Sequence, residues 1–295
     1  MNSSVNIRKP KGRPLEMIFH ILFFLAAAIS ILSVLVIAFF IFVSGAPALS
    51  KIGLFDFVSG MDWSPTSGKF GILTMIVGSI GITVGSTFLG VLVGIFTAIF
   101  LAEIAPKRVS SFFRPAINLL SGIPSVVFGF FGLIVIVPII RSTFGGAGQS
   151  LLAGIVVLTV MILPTIISIT ETSIRAVPRE FKEGSLALGA THIETIFKVI
   201  IPAAKSGIMA GVILGIGRAI GETMAVILVT GNSVLMPSVI TDPIRTLTAN
   251  IALEMGYSSG IHQSALFATG IVLFVFIIIL NIILNVFINR KVGYK

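Results

Sequence analysis

Arg218 and Glu222 stand inside a long apolar run, in Gly215-Ile216-Gly217-Arg218-Ala219-Ile220-Gly221-Glu222-Thr223-Met224-Ala225. A guanidinium among apolar residues offers a planar fork of donors that fits an oxyanion. On a helix that begins at Ser206, Arg218 lies ~18 Å along the axis, near the middle of a bilayer. A charge at that depth costs about 2.5–3.5 kcal/mol on insertion scales. Glu222, one turn further on the same face, offsets part of it. On the helical wheel Gly207, Gly211, Gly215, Gly221 and Ala225 share the Arg218 face, while Met209, Ile213, Ile216, Ile220 and Ile227 form an opposite, lipid-ready face. The charges therefore face other helices or a cavity. Two readings follow: a buried ion pair that fixes helix register, or a guanidinium in an anion path, with Thr223 beside it and Glu222 keeping the empty site near neutral.

A second interrupted stretch is Ser121-Gly122-Ile123-Pro124-Ser125. Pro124 cannot donate to the carbonyl of Leu120, so a helix there is kinked or broken. A break at mid-membrane exposes backbone N–H groups to an anion; a plain structural kink is the alternative. Ser121 and Ser125 join the candidate path on the first reading.

A third candidate lies in a polar island over residues 172–205. It holds Glu183-Gly184-Ser185-Leu186-Ala187-Leu188-Gly189 and, after a spacer, Val199-Ile200-Ile201-Pro202. Pro178 suits the first turn of a helix and Gly189 supplies a left-handed stop. Thr191 and Glu194 have the spacing of a capping box that opens a second short helix, and Pro202 is expected to end it. Gly184 keeps the first helix narrow, at up to ~1 kcal/mol of helix propensity. Two short helices at an angle between membrane spans make a rigid knob on the bilayer surface. A helix-turn-helix for nucleic acid would share this outline, but anchoring in the membrane on both sides argues against it.

The elements that position these residues follow from composition. Of the 295 residues, 56% are hydrophobic and 11% charged, and the mean hydropathy is positive, so this is not a soluble domain. Apolar runs near residues 18–43, 71–102, 115–140, 151–169, 206–229 and 265–288 predict an all-α integral membrane protein with six spans. The first contains no glycine and is expected to wrap the outside of the bundle, whereas Ser86, Gly90, Gly94 and Ala98 give the second a stripe of small residues for close packing. Residues 46–70, with Pro47, Asp56, Asp62, Trp63 and Pro65, read as a loop, and Pro106, Lys107, Arg108 and Arg114 as a polar turn. The division expected is 1–45 for a basic tail and peripheral first helix, 46–70 for an outer loop, and 71–290 for the transmembrane core.

Six spans place both termini on one side. Fifteen of the 20 Lys and Arg residues fall on that side and four, Lys51, Lys69, Arg141 and Arg245, on the other, with Arg218 between them. This positive-inside bias predicts cytoplasmic termini and a cytoplasmic knob. There is no cysteine, so disulfides and thiolate metal sites are excluded. His20, His192 and His262 do not form a ligand pattern and read as interfacial or loop residues. Ser67-Gly68-Lys69 has the end of a phosphate loop, but Phe70 follows and the earlier glycine is missing. No ATP-binding motif, cofactor or metal site is expected, and any ATP-driven work needs a second polypeptide.

The knob resembles the signature loop of the membrane subunits of ABC importers: Glu183, Gly189 and Pro202 match in residue and spacing, while Gly184, Ser185, Val199 and Ile201 are mild departures. Residues 217–225, Gly122-Ile123-Pro124-Ser125-Val126-Val127-Phe128-Gly129 and Ala102-Glu103-Ile104-Ala105-Pro106 are similar to the phosphate-specific importers, nearer their PstC-type than their PstA-type subunit. The resemblance covers about residues 65–290. It implies a type I ABC importer permease fold, a bacterial or archaeal cell membrane, and phosphate as substrate. It also implies a PstA-type sister permease subunit, two copies of a cytoplasmic ATPase and an extracytoplasmic phosphate-binding protein; nucleic acid is not among the expected partners. Glu183, Gly184, Ser185, Gly189 and Pro202 would couple to the ATPase, and Arg218, Glu222, Thr223, Ser121 and Ser125 would line the path. A sulfate or molybdate importer would keep the knob, whereas a gradient-driven transporter would have no use for it.

Overall fold

A computed structural model of the chain describes residues 14–289. The basic tail residues Arg8, Lys9, Lys11 and Arg13 and the terminal Arg290, Lys291 and Lys295 lie outside the described residues. Six helical stretches are long and apolar enough to cross a bilayer: Glu16–Ile52, Leu73–Ile104, Ser125–Phe144, Leu151–Arg175, His192–Gly221 and Gly260–Ile283. The first belongs to α1 (Pro14–Ile52), which runs straight through Pro47 rather than ending in a loop. Side chains from Glu16 to Ile37 are exposed. The helix docks on the last one, α13 (Gly260–Asn289), where a Cβ on Gly45 would lie 2.8 Å from the Ala268 nitrogen. Phe40 and Phe42 meet Phe267 and Phe274 edge to face along the same seam.

The segment after α1 is folded. Helix α2 (Leu54–Ser59) leads to a hairpin of β1 (Trp63–Ser64) and β2 (Lys69–Phe70), turned by left-handed Gly68. Lys69 closes the hairpin on Asp62 at 2.7 Å instead of serving a phosphate loop; the Asp62 carboxylate raises the pKa of its ammonium above the ordinary value. The hairpin is tied to residues 245–262 by the buried Glu254, at the end of α12 (Leu247–Glu254). Trp63 Nε1 donates to Glu254 Oε2 at 2.9 Å, and His262 Nε2 lies 2.9 Å from the same oxygen. Arg245 Nη1 donates to Glu254 Oε1 at 2.5 Å and to Asn250 Oδ1 at 3.0 Å.

The centre is α7 (Leu151–Arg175), the most buried of the six spans. Helix α3 (Leu73–Ile99), continued by a π-turn over Phe100–Ile104, lays its stripe of Ser86, Gly90, Gly94 and Ala98 against α7, and all four are buried. A Cβ on Gly90 would lie 2.7 Å from Ile162 Cδ1, and one on Gly94 2.8 Å from Ile166 Cγ2. Apolar side chains gain nothing by leaving lipid for a neighbouring helix, so such close approach supplies the packing energy.

The third span departs from expectation. Residues 107–122 form α4 (Lys107–Gly122), an amphipathic helix rather than a polar turn, and it stands apart from the span that follows. Ile123 and Pro124 are extended, with ψ of 129° and 141°. The spanning helix restarts as α5 (Ser125–Phe131) and passes through a second π-turn, Gly132–Ile136, into α6 (Val137–Phe144). Pro124 therefore breaks the chain instead of bending it. Arg114 Nε, on α4, donates to Glu171 Oε1 of α7 at 2.6 Å, and Arg175 Nε reaches the same oxygen at 3.0 Å.

Gly94→Leu tests the packing. Overfilling a tight contact costs about 1–3 kcal/mol, so the variant is expected to unfold at lower temperature in detergent than wild type, whereas Gly217→Ala, where an added Cβ meets nothing within 4 Å, should not. Equal melting of the three would show that α3 does not depend on its glycines.

Candidate functional site

The knob is built by local rules. Pro178 is the N-cap of α8 (Arg179–Ala187), one residue before the first turn. Gly189 N donates to Leu186 O at 3.0 Å and Ala190 N to Ser185 O at 3.2 Å, which is a Schellman end made possible by Gly189 at φ 86°. Thr191 and Glu194 make the full capping box at the head of α9 (His192–Thr195). Ser185 Oγ lies 3.0 Å from the buried Thr195 Oγ1 and so locks the two helices together.

Pro202 does not end this second helix. A π-turn over Ile196–Ile200 carries α9 into α10 (Ile201–Gly221), with Pro202 in its first turn. The reason lies in the register: Ile201 N already reaches five residues back to Ile196 O, and the widened turn relieves the clash that a proline makes in an α-helix. The knob is therefore continuous with the fifth span. It is also clamped to α3: Lys182 Nζ donates to Glu103 Oε2 at 2.5 Å, and His192 Nε2 lies 3.2 Å from the Glu103 carbonyl. Glu183, Gly184 and Gly189 are exposed, Ser185 half-buried, and Pro202 exposed. Gly184 has open space around it. Leu188, 91% exposed, and Phe181 and Ile193 stand out beside it.

The fifth span breaks where the wheel ran on. Glu222 leaves the helix at ψ 131°, and the chain restarts as α11 (Met224–Val229). Arg218 and Glu222 are thus not one turn apart on a continuous face, and no ion pair joins them among the described residues. Glu222 Oε1 instead accepts from Ala225 N at 3.0 Å, capping α11, and its carbonyl accepts from Thr248 Oγ1 at 3.1 Å. Arg218, half-buried, donates from Nη1 to Thr165 Oγ1 of α7 at 3.4 Å. The glycine face holds in part: Gly207, Gly211 and Gly215 press on Ser173, Ile169 and Ile166 of α7, whereas Gly221 has open space around it and Ala225, beyond the break in α11, packs against Gly129. Ile220, placed on the lipid side by the wheel, is 7% exposed, because the chain turns inward just beyond it.

The two broken helices pack side by side. A Cβ on Gly129 of α5 would lie 2.6 Å from Ala225 Cα, and one on Gly132 2.8 Å from Val229 Cγ1. Those contacts advance together along both chains, so α5 and α11 run parallel and their breaks lie within about one helical turn of each other. Ser125 opens α5 half-buried, and Thr223, half-buried, bonds Gly221 O at 3.3 Å. Ser121 is exposed and its hydroxyl turns back to Asn118 O at 2.7 Å. Among the described residues no hydrogen bond joins Arg218 to Ser121, Ser125 or Thr223.

Sequence reasoning missed Thr165, Glu103 and Glu171. Thr165 shows no signal in a run of apolar and hydroxyl residues. Glu171 did carry one, a carboxylate at the end of an apolar span four residues before Arg175.

Residues 90–293 match the family described as binding-protein-dependent transport system inner membrane component. The chain is 40% identical over 272 residues to a probable ABC transporter permease protein, YqgH, of Bacillus subtilis, covering 90% of this chain and 88% of that protein. It is 37% identical over 272 residues to the phosphate transport system permease protein PstC of Mesorhizobium japonicum, covering 85% and 83%. Its fold is similar to that of the membrane chain in inward-facing MetNI, a methionine ABC transporter, with a TM-score of 0.60 and 19% identity over 78% of this chain and 99% of the other.

Replacing Glu222 separates capping from charge pairing. Glu222→Ala is expected to lower thermal stability by about 1 kcal/mol, the usual worth of a helix cap, while Glu222→Gln, which keeps a carbonyl acceptor for Ala225 N, loses little. Equal losses in both would restore the ion-pair reading.

Proposed function

This chain belongs to the family of binding-protein-dependent transport system inner membrane components, and on that premise we propose that it is a permease subunit of an ATP-driven importer of inorganic phosphate. The observation that carries the substrate is the match, over most of the chain, to relatives named phosphate transport system permease protein. Arg218 gives that substrate a contact. With Glu222 engaged in capping α11, the guanidinium has only the Thr165 hydroxyl as a hydrogen-bond partner among the described residues, so its charge is available to an oxyanion. Thr223, Ser121 and Ser125 would supply further polar groups around the two breaks.

The chain is a transport subunit and leaves ATP hydrolysis to two copies of a cytoplasmic ATPase. The knob presents Glu183, Gly184, Ser185 and Gly189, flanked by the bare Leu188, as the surface that this ATPase grips, while Pro202 sits where the knob runs into α10. A PstA-type sister permease subunit completes the membrane unit, and an extracytoplasmic phosphate-binding protein delivers the anion to the outer segments. The first helix then reaches Ile52 rather than stopping at residue 45, the segment from there to about residue 70 lies outside, and 71–290 is the transporting core with the coupling loop at 172–205. ATP closes the ATPase dimer, the knob carries that closure into α10, and the breaks above Arg218 open outward to admit phosphate. Hydrolysis reverses the movement and releases the anion inward. The charge distribution supports cytoplasmic termini.

Arg218→Lys keeps the charge but loses the planar fork; ATP-driven phosphate uptake in reconstituted complex is expected to fall at least ~10-fold with assembly intact. Full uptake by that variant would remove Arg218 from the path. Single cysteines, in a chain that has none, test orientation. One replacing Asp62 should react with an impermeant reagent outside the cell and one replacing Glu183 should not; the reverse pattern would invert the topology and detach the ATPase from the knob.

A further inference from the structure

Glu171 is a buried carboxylate that the transport cycle above does not use. Its residue is 7% exposed, and a single oxygen, Oε1, takes both arginines, Arg114 at 2.6 Å and Arg175 at 3.0 Å. The other oxygen accepts no hydrogen bond among the described residues. Glu171 and both arginines line a cavity of about 220 Å³ between α4 and α7, which Asn118, Ser168 and Thr172 also line.

The charges here do not cancel. Two guanidinium groups meet one carboxylate, leaving a net positive site. Arg114 contributes only Nε to the pair, and Arg175 contributes Nε to Glu171 and Nη2 to the Leu101 carbonyl. Arg114 Nη1 and Nη2 and Arg175 Nη1 thus have no hydrogen-bond partner among the described residues, and both arginines line a cavity that also offers an amide and hydroxyls. The place of the cavity matters too. Thr165, Ser168 and Thr172 follow one another at spacings of three and four on α7, so they share a face. From the Thr165 hydroxyl that holds Arg218, that face reaches the cavity-lining Ser168 after ~4.5 Å and Thr172 after ~10 Å along α7, at the end that leads into the knob.

We propose that this cavity is a second anion site, on the knob side of the membrane, selective for an oxyanion that still carries a proton. Arg114 and Arg175 supply the donors for the charged oxygens. The unengaged oxygen of Glu171 accepts the proton that inorganic phosphate keeps near neutral pH and that sulfate lacks; for sulfate the same oxygen is an unrelieved repulsion. The ligand class rests on the phosphate-transport reading, in which the site receives the anion after Arg218 and before release.

The test uses the assembled membrane complex in detergent, without the binding protein, and with Arg218→Met so that the central contact is gone. Equilibrium dialysis with radiolabelled inorganic phosphate is expected to show saturable binding that a tenfold excess of sulfate leaves largely in place. Adding Asn118→Asp, a change at an exposed side chain that makes no hydrogen bond among the described residues, should weaken binding roughly tenfold or more by placing a like charge in the cavity. Adding Glu171→Gln instead should let sulfate compete on equal terms. Absence of saturable binding, indifference to Asn118→Asp, or equal competition by sulfate before Glu171 is changed would each overturn the site. ATP-driven uptake by the unmutated complex is measured alongside. Phosphate uptake without dialysis binding would keep the transport reading and remove the site, while binding without uptake would keep the site and sink the transport reading.

Discussion

Ile166 is held between two glycines, Gly94 of α3 and Gly215 of α10, and is completely buried. The rest of the molecule depends on that close approach of three helices. In lipid, apolar side chains have no water to escape from, so helices associate where small residues let backbones come near and dispersion contacts accumulate. Because α3 and α10 both lean on α7, whatever α7 carries on its polar face is fixed relative to both. Thr165, Ser168, Glu171 and Thr172 lie on the half of α7 nearer the knob, where that support has already been set. A larger residue at Gly94 or Gly215 would therefore displace the positions that hold Arg218 and Arg114.

The second constraint is that backbone groups freed at a break must find partners inside the membrane. The break at Glu222 and Thr223 meets it with its own side chain and with a neighbour: Glu222 Oε1 takes the Ala225 amide, and Thr248 donates to the Glu222 carbonyl. The carboxylate that the sequence places beside Arg218 is thereby spent on the backbone, which leaves the guanidinium with a hydroxyl as its partner. The other break, at Ile123 and Pro124, lies alongside through the contacts of Gly129 with Ala225 and Gly132 with Val229. Each break opens a short helix, α5 or α11, and the two short helices pack against each other.

What was legible in the sequence was local. Gly189 as a left-handed stop, the Thr191–Glu194 capping box and the small stripe of α3 each depend on residues within a turn or two, and each is present. What was misread depends on register. Pro202 looked like a stop because a proline breaks an α-helix, yet a π-turn ahead of it admits the ring. Glu222 looked like the i+4 partner of Arg218 because a wheel assumes that the helix continues. The polar hubs were out of reach for a different reason. Glu254 collects Trp63, Arg245 and His262, and Glu171 collects Arg114 and Arg175; Trp63 and Arg114 are distant along the chain and meet their carboxylates only in the fold, while Arg245 and His262 reach Glu254 only because the turns on either side of it fold back. The Glu254 hub ties the hairpin to the segments that flank α12.

On the transport reading proposed above, with the segments around Glu254 tied together at one end and a knob continuous with α10 at the other, motion concentrates at the two breaks near Arg218. That is the central claim, and Thr165, the residue that touches Arg218, reports on it directly. The measurement is the labelling rate of a single cysteine replacing Thr165, by a water-soluble thiol reagent, in the assembled complex. The account predicts that the cysteine is reached from water, that the rate changes when ATP closes the ATPase, and that inorganic phosphate slows it. A cysteine that only a lipid-soluble reagent reaches, with a rate indifferent to phosphate and to ATP, would contradict it.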